Sequence, residues 1–132
     1  MNKEWNDVRL FHEKFGSPHP DVPTMLTEKR ARARADWMRE EIDEFLEAGT
    51  LTDQADAMID LIYFALGTLV EMGVEPDELF EIVHNANMAK KWPDGKVHRN
   101  EMSKVIKPST WEDPEPKLKA ALKRQMERRP EK

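Results

Sequence analysis

Apolar residues recur at helical spacing along most of the chain. Trp5, Val8, Leu10, Phe11 and Phe15 place one apolar side on a helix over residues 3–15, with Gly16 suited to cap it. The Ser-Pro-His-Pro-Asp-Val-Pro stretch that follows must run extended. Thr24 or Thr27 caps a second helix reaching about Ala48, whose stripe is Ala31, Ala35, Met38, Ile42 and Phe45. Gly49 takes the C′ role after it, and Thr50 with Asp53 three residues on forms a capping box for a third helix to about Met72. From Ala57 that helix reads AMIDLIYFALGTLV, apolar almost all round, as expected of a helix in the middle of a bundle. Gly73 ends it. Glu75-Pro76-Asp77-Glu78 opens a fourth helix with Pro76 at its first position, and Leu79, Ile82, Val83 and Met88 are its apolar side.

The period then fails. Residues 92–116 hold four of the nine prolines and no sustained repeat, and an irregular stretch of that length usually serves function or covers a partner. The end, PKLKAALKRQMERRPEK, is a charged helical tail, suited to an oligomer contact or a frayed end. The expected fold is all-α: a four-helix bundle core within a domain over residues 1–116, an extended basic segment, and a short terminal helix in a tail over 117–132. No internal repeat and no Gly-rich phosphate loop interrupts this plan.

Composition narrows the function. The net charge of −5 argues against non-specific nucleic-acid binding, so no nucleic-acid partner is expected. The absence of cysteine excludes disulfides and thiolate zinc sites. The start, MNKEWNDVRLF, lacks the apolar region of a signal peptide, and the longest apolar run, Leu61 to Leu66, is too short to span a bilayer. No membrane partner is expected, and the simplest location is the cytoplasm. Charged residues are plentiful (36%) and apolar ones fewer than average (39%), so a thin core is extended most readily by a second subunit. A homodimer or homotetramer is expected.

The candidate chemistry lies between Arg39 and Asp60. At about 100° per residue, Glu40, Glu41 and Glu44 fall within an arc of about 100°, and Asp53, Asp56 and Asp60 within about 60°. Helices joined by a short loop pack antiparallel, so the two acidic groups can face each other, where they repel unless a cation intervenes. Glu41 lies on the margin of the apolar stripe and Glu40 points most toward water. The plain reading of such a cluster is a solvated face, and Asp53 has a competing duty in the capping box. Asp60 stands alone among apolar residues and requires a metal, an arginine such as Arg34 or Arg39, or a hydrogen-bond network. Oxygen-only ligation favours Mg²⁺ or Mn²⁺. No histidine follows a bundle carboxylate at the spacing of a di-iron site. Magnesium held this way commonly binds substrate phosphates and serves phosphoryl or nucleotidyl transfer. His12 and His19 read as surface or loop residues, and Lys90 and Lys91 as companions of a helix C-terminus. Lys96, Arg99, Lys104 and Lys107, interspersed with Trp92 and Trp111, are a weak motif that would suit a polyphosphate.

EEIDE followed by DQAD resembles the all-α nucleoside triphosphate pyrophosphohydrolases, the MazG-like group that includes phosphoribosyl-ATP pyrophosphohydrolase and the dimeric dUTPases. VRLFHEKFG, ADAMIDLIYFALGTLVEMGV, VHNANMAKKWPDGKV and KVIKP extend the resemblance over residues 8–116. It implies hydrolysis of a nucleoside triphosphate between its α and β phosphates. Glu40, Glu41, Glu44 and Asp56 would then ligate Mg²⁺, with Asp53 in the place of the family's second glutamate, and Glu40 would polarise the attacking water. Asn87, Lys90, Lys104 and Lys107 would hold phosphate or ribose oxygens. Asp60 would sit beside the ligands or touch substrate; a register anchored on Asp60 would put Ala57 in the glutamate position. Phosphoribosyl-ATP hydrolysis and a non-catalytic helical interaction bundle are the competing readings.

Overall fold

The chain was analysed as a computed structural model in which residues 1–128 are described; the predicted tail's last residues, 129–132, lie outside them. It is all-helical, with α1 (Asn2–Phe15), α2 (Glu28–Glu47), α3 (Leu51–Glu71), α4 (Asp77–Met88) and α5 (Glu115–Glu127). Two compact units divide it, one comprising residues 1–76 with the end of α5 from Gln125, the other residues 77–124.

Local signals set the helix ends of the first unit. Gly16 ends α1 in the left-handed conformation (φ 76°) that a Cβ would disfavour. The Thr27 hydroxyl accepts the Arg30 N–H at 3.2 Å and the Thr50 hydroxyl accepts the Asp53 N–H at 3.0 Å, so both expected threonine caps form. Gly49 behaves otherwise than expected: α2 ends where Ala48 turns to an extended conformation (φ −62°, ψ 126°), with no left-handed residue. Gly73 is left-handed (φ 67°), and a Cβ there would lie 2.5 Å from the Val22 carbonyl oxygen. Only glycine fits that crossing, where the extended segment is tied to the end of α3 by the Thr24 N–H donating to Met72 O at 2.8 Å.

Helix α3 packs against both α1 and α2. Trp5 and Val8 of α1 meet Leu66 and Val70 of α3, with Leu69 alongside, to form the core of this unit. The helix apolar on every side is thus central to the unit, yet it is not enclosed: Ile59, Ile62 and Tyr63 remain exposed. The α2 stripe also differs from expectation, since Ala31 and Ile42 are exposed and the one buried residue of α2 is Arg34.

Arg34 explains that inversion. Arg30 and Arg34 both reach Glu71 of α3, whose carboxylate is wholly enclosed; Arg30 Nε donates at 2.5 Å and Arg34 pairs with the second oxygen. Arg34 also donates to His12 Nε2 at 3.3 Å, while the other His12 ring nitrogen donates to Pro18 O at 2.9 Å. His12 is therefore a buried histidine rather than the surface one expected, and it joins α1 to α2. Burial would raise the Glu71 pKa, but the Arg30 hydrogen bond and the Arg34 charge more than offset it, and the net direction is down. Burial holds the His12 pKa below its ordinary value, with the Arg34 charge acting in the same sense.

In the second unit α4 begins at Asp77, so Pro76 precedes the helix instead of opening it. The irregular stretch is ordered by its own polar groups. Ile106 N–H donates to His98 O at 2.8 Å and Asn100 N–H to Lys104 O at 2.9 Å, closing a short turn in which Ser103 is left-handed (φ 62°). The Trp92 indole donates to Ile106 O at 2.9 Å, and its ring stacks on His98 at 4.1 Å. Helix α5 packs rather than frays, with Ala121 and Gln125 buried; the Gln125 side chain pairs with both backbone groups of Glu75. Among the described residues, no helix is long and apolar enough to cross a membrane.

Candidate active site

The α2–α3 hairpin runs antiparallel, as its paired residues show: Arg30 and Arg34 meet Glu71, Trp37 meets Phe64, and Glu41 and Glu44 meet Asp60. One face of this hairpin therefore ends in carboxylates. Oxygens of Glu41, Glu44 and Asp60 all lie within 4.8 Å of one another. Asp56, one turn before Asp60, is close enough to act electrostatically on both Glu41 and Asp60.

Like charges this close cannot all ionise cheaply. The Glu41 pKa is pushed up to about 7, by burial first, then by a hydrogen bond shared with Glu44 and by the charges of Glu44, Asp60 and Asp56. Asp60 is raised as well, again by burial first and then by Asp56 and Glu44. Glu41 Oε2 is shielded from solvent and has no hydrogen-bond partner. A buried carboxylate oxygen without a donor costs on the order of 1–3 kcal/mol, so the arrangement is stable only if something positive meets it. The arginines that could have done so are engaged elsewhere, Arg34 with Glu71 and Arg39 with Asp36. The alternative expectation, that Asp60 pairs with Arg34 or Arg39, is thereby overturned. An oxygen-only, half-buried carboxylate set with one unsatisfied oxygen fits a hard divalent cation.

Of the residues singled out from sequence, the structure brings Glu41, Glu44 and Asp60 together, with Asp56 beside them. Glu40 is exposed on α2, and Asp53 lies on the exposed first turn of α3, where its backbone meets the Thr50 cap. Asn87, Lys90, Lys104 and Lys107 belong to the second unit. Within that unit the ammonium groups of Lys90 and Lys107 lie 5.7 and 4.7 Å from the centre of the Trp111 ring. Lys104 is exposed and donates its backbone N–H to Asn100 Oδ1 at 3.0 Å. Trp111 also lines a cavity of about 320 Å³ with Ile82, Asn85, Ala89 and Lys117. Sequence reasoning noted Trp111 only as an interspersed aromatic; the signal that singles it out, two lysines over one ring, is tertiary.

An all-α chain with facing carboxylates across a helical hairpin is the architecture of an all-α pyrophosphohydrolase, and comparison with known proteins supports that class. The sequence profile of the phosphoribosyl-ATP pyrophosphohydrolase family matches residues 8–87, and the chain belongs to that family. A crystal structure from Exiguobacterium sp. 255-15, provisionally described as an NTP pyrophosphohydrolase, is 34% identical over 93% of this chain and 95% of that one, with a TM-score of 0.50. No curated protein sequence matches. The chain is accordingly placed among the pyrophosphohydrolases as a class.

Proposed function

We propose that the protein hydrolyses a nucleoside triphosphate between its α and β phosphates, releasing the nucleoside monophosphate and pyrophosphate. The observation that carries this is the unsatisfied Glu41 Oε2 within a carboxylate cluster on a family hairpin. Glu41, Glu44 and Asp60 would hold Mg²⁺ (or Mn²⁺), with Asp56 adjacent. When bound, that ion supplies neutralising charge for phosphate oxygens and lowers the pKa of a coordinated water. Glu40, exposed beside the cluster, is suited to orient and deprotonate an attacking water. Asp53 is suited to an outer hydrogen bond. Asn87, Lys90, Lys104 and Lys107 are proposed to contact phosphate or ribose oxygens, on the strength of their charge and their match to family positions.

The test is pyrophosphate release from a panel of ribo-, deoxy- and modified nucleoside triphosphates with Mg²⁺. Glu41→Gln and Asp60→Asn are expected to lower kcat at least 100-fold, as for removal of a group that acts only in the transition state. Wild-type rates in both variants would refute the site. A second reading, phosphoribosyl-ATP as substrate, is favoured by the family match itself; including that compound in the panel separates the two. An inert helical bundle would show neither turnover nor stabilisation by Mg²⁺.

A further inference from the structure

Lys90 follows the end of α4, and Lys107 precedes the turn in which the Trp111 N–H donates to Pro108 O at 3.0 Å. They are 17 positions apart in sequence yet share one aromatic ring. The ring itself is fixed, because its indole N–H donates to Ala86 O of α4 at 2.6 Å. Two ammonium groups brought to one place repel each other. Here no carboxylate offsets them: among the described residues neither lysine makes an ion pair, although Glu112 and Asp113 are near in sequence. The electron-rich indole face is what attracts both, each contact being of the cation–π kind. The result is a pair of positive charges, aromatic-supported and unneutralised, which is the chemistry that a multiply charged phosphate anion satisfies.

We propose that Trp111 is a positioning residue that gathers Lys90 and Lys107 into a subsite for the pyrophosphoryl part of the substrate and for the pyrophosphate product. This deepens the proposed function and rests on it for the identity of the substrate. The anion subsite itself is testable apart from turnover. Neither Trp111 nor its indole–Ala86 bond follows from the acidic motif, and neither is needed to explain the helices.

The measurement is calorimetric titration of inorganic pyrophosphate into the full chain without divalent metal, beside steady-state kinetics with Mg²⁺. Wild-type protein is expected to bind pyrophosphate, and Glu41→Gln to bind it equally. Lys107→Met and Trp111→Leu should each weaken binding about ten-fold, the size of one or two such contacts. With substrate, Trp111→Leu should raise KM by a similar factor and leave kcat within about two-fold. Trp111→Phe keeps a ring face and loses only the indole donor, so it should recover part of the affinity; it also serves if the leucine variant fails to fold. A double-mutant cycle is decisive: Lys107→Met should cost less in the Trp111→Phe background than in wild type. Absence of pyrophosphate binding by wild type, or strictly additive effects in the cycle, overturns the proposal. A chain that binds pyrophosphate in this manner but hydrolyses no triphosphate would refute the proposed function and leave the subsite standing. Wild-type KM in a folded Trp111→Leu enzyme would do the reverse.

Discussion

Glu41 has the most constrained side chain of the carboxylate group. Its shielded oxygen lacks a donor, and its pKa of about 7 shows how poorly the site tolerates a second negative charge without a counter-ion. Glu40, its neighbour in sequence, is exposed on α2. The two glutamates should therefore separate experimentally. Glu41→Gln is expected to abolish both turnover and the rise in melting temperature on adding Mg²⁺. Glu40→Gln should lower kcat by 10²–10⁴-fold, the usual range for a positioned base, and preserve the Mg²⁺-dependent rise. Thermal melts with and without MgCl₂, beside turnover, check both; loss of stabilisation in Glu40→Gln would put that residue among the ligands. The acids were legible in sequence because their helical spacing is local and the loop between the helices is short. Which aspartate faces the glutamates was not. Asp56 and Asp60 lie one turn apart on nearly the same side of α3, and only the packing register of the hairpin brings Asp60 to Glu41 and Glu44.

At the scale of elements, the hairpin is held by a charged core that no hydrophobic pattern announces. Arg34 and Glu71 lie 37 positions apart, and each reads in sequence as a solvated charge on an amphipathic helix. Only the close approach of α1, α2 and α3 buries them. Gly67 makes room: a Cβ there would be 2.8 Å from Arg34 Nη1 and 3.1 Å from His12 Nε2. Since Arg34 is fixed by Glu71, Gly67→Ala should destabilise the fold by about 1–3 kcal/mol in denaturant titration, the cost of overpacking. Arg34→Met should cost about 3–5 kcal/mol, because Glu71 loses a buried partner. Acid acts on the same network. Glu71 has a lowered folded pKa, so its contribution is present above the unfolded value near 4.5 and lost as pH falls through the folded one. Folded His12 resists a proton that the unfolded chain accepts near pH 6.5, so stability falls as pH drops below that value. Glu41 opposes both, because its raised pKa makes the folded state the better proton acceptor between about 4.5 and 7. In metal-free Glu41→Gln that opposition is gone, and the melting temperature is expected to decline steadily from pH 7 to pH 4. A profile flat across that range would show that the network contributes nothing to stability.

At the scale of the whole molecule, the first unit leaves a contiguous set of helices short of cover. Leu10, Phe11 and Phe15 of α1, Ile42 and Leu46 of α2, and Ile59, Ile62 and Tyr63 of α3 are all exposed. Phe11 packs on Phe15 at 4.6 Å and on Tyr63 at 5.8 Å, so the exposed residues of α1 and α3 meet in one aromatic group. Scattered exposed apolar residues are ordinary, but a cluster joined across two helices marks an interaction surface. Sequence analysis expected α3 to be enclosed because it is apolar on every side; within one chain it is enclosed on the faces that meet α1 and α2 and bare on the remainder. The residues that pattern called core are thus divided between an intrachain core and this open face. A second copy of the chain is the economical cover, since the same apolar group on each copy would be self-complementary about a two-fold axis. The full-length protein is expected to sediment as a dimer or tetramer at micromolar concentration, with a melting temperature that rises with protein concentration. Ile62→Glu and Phe15→Glu, both on the exposed face and away from Glu41, should shift it toward monomer and remove that concentration dependence. Unchanged sedimentation in both variants would mean that this face is not where subunits meet.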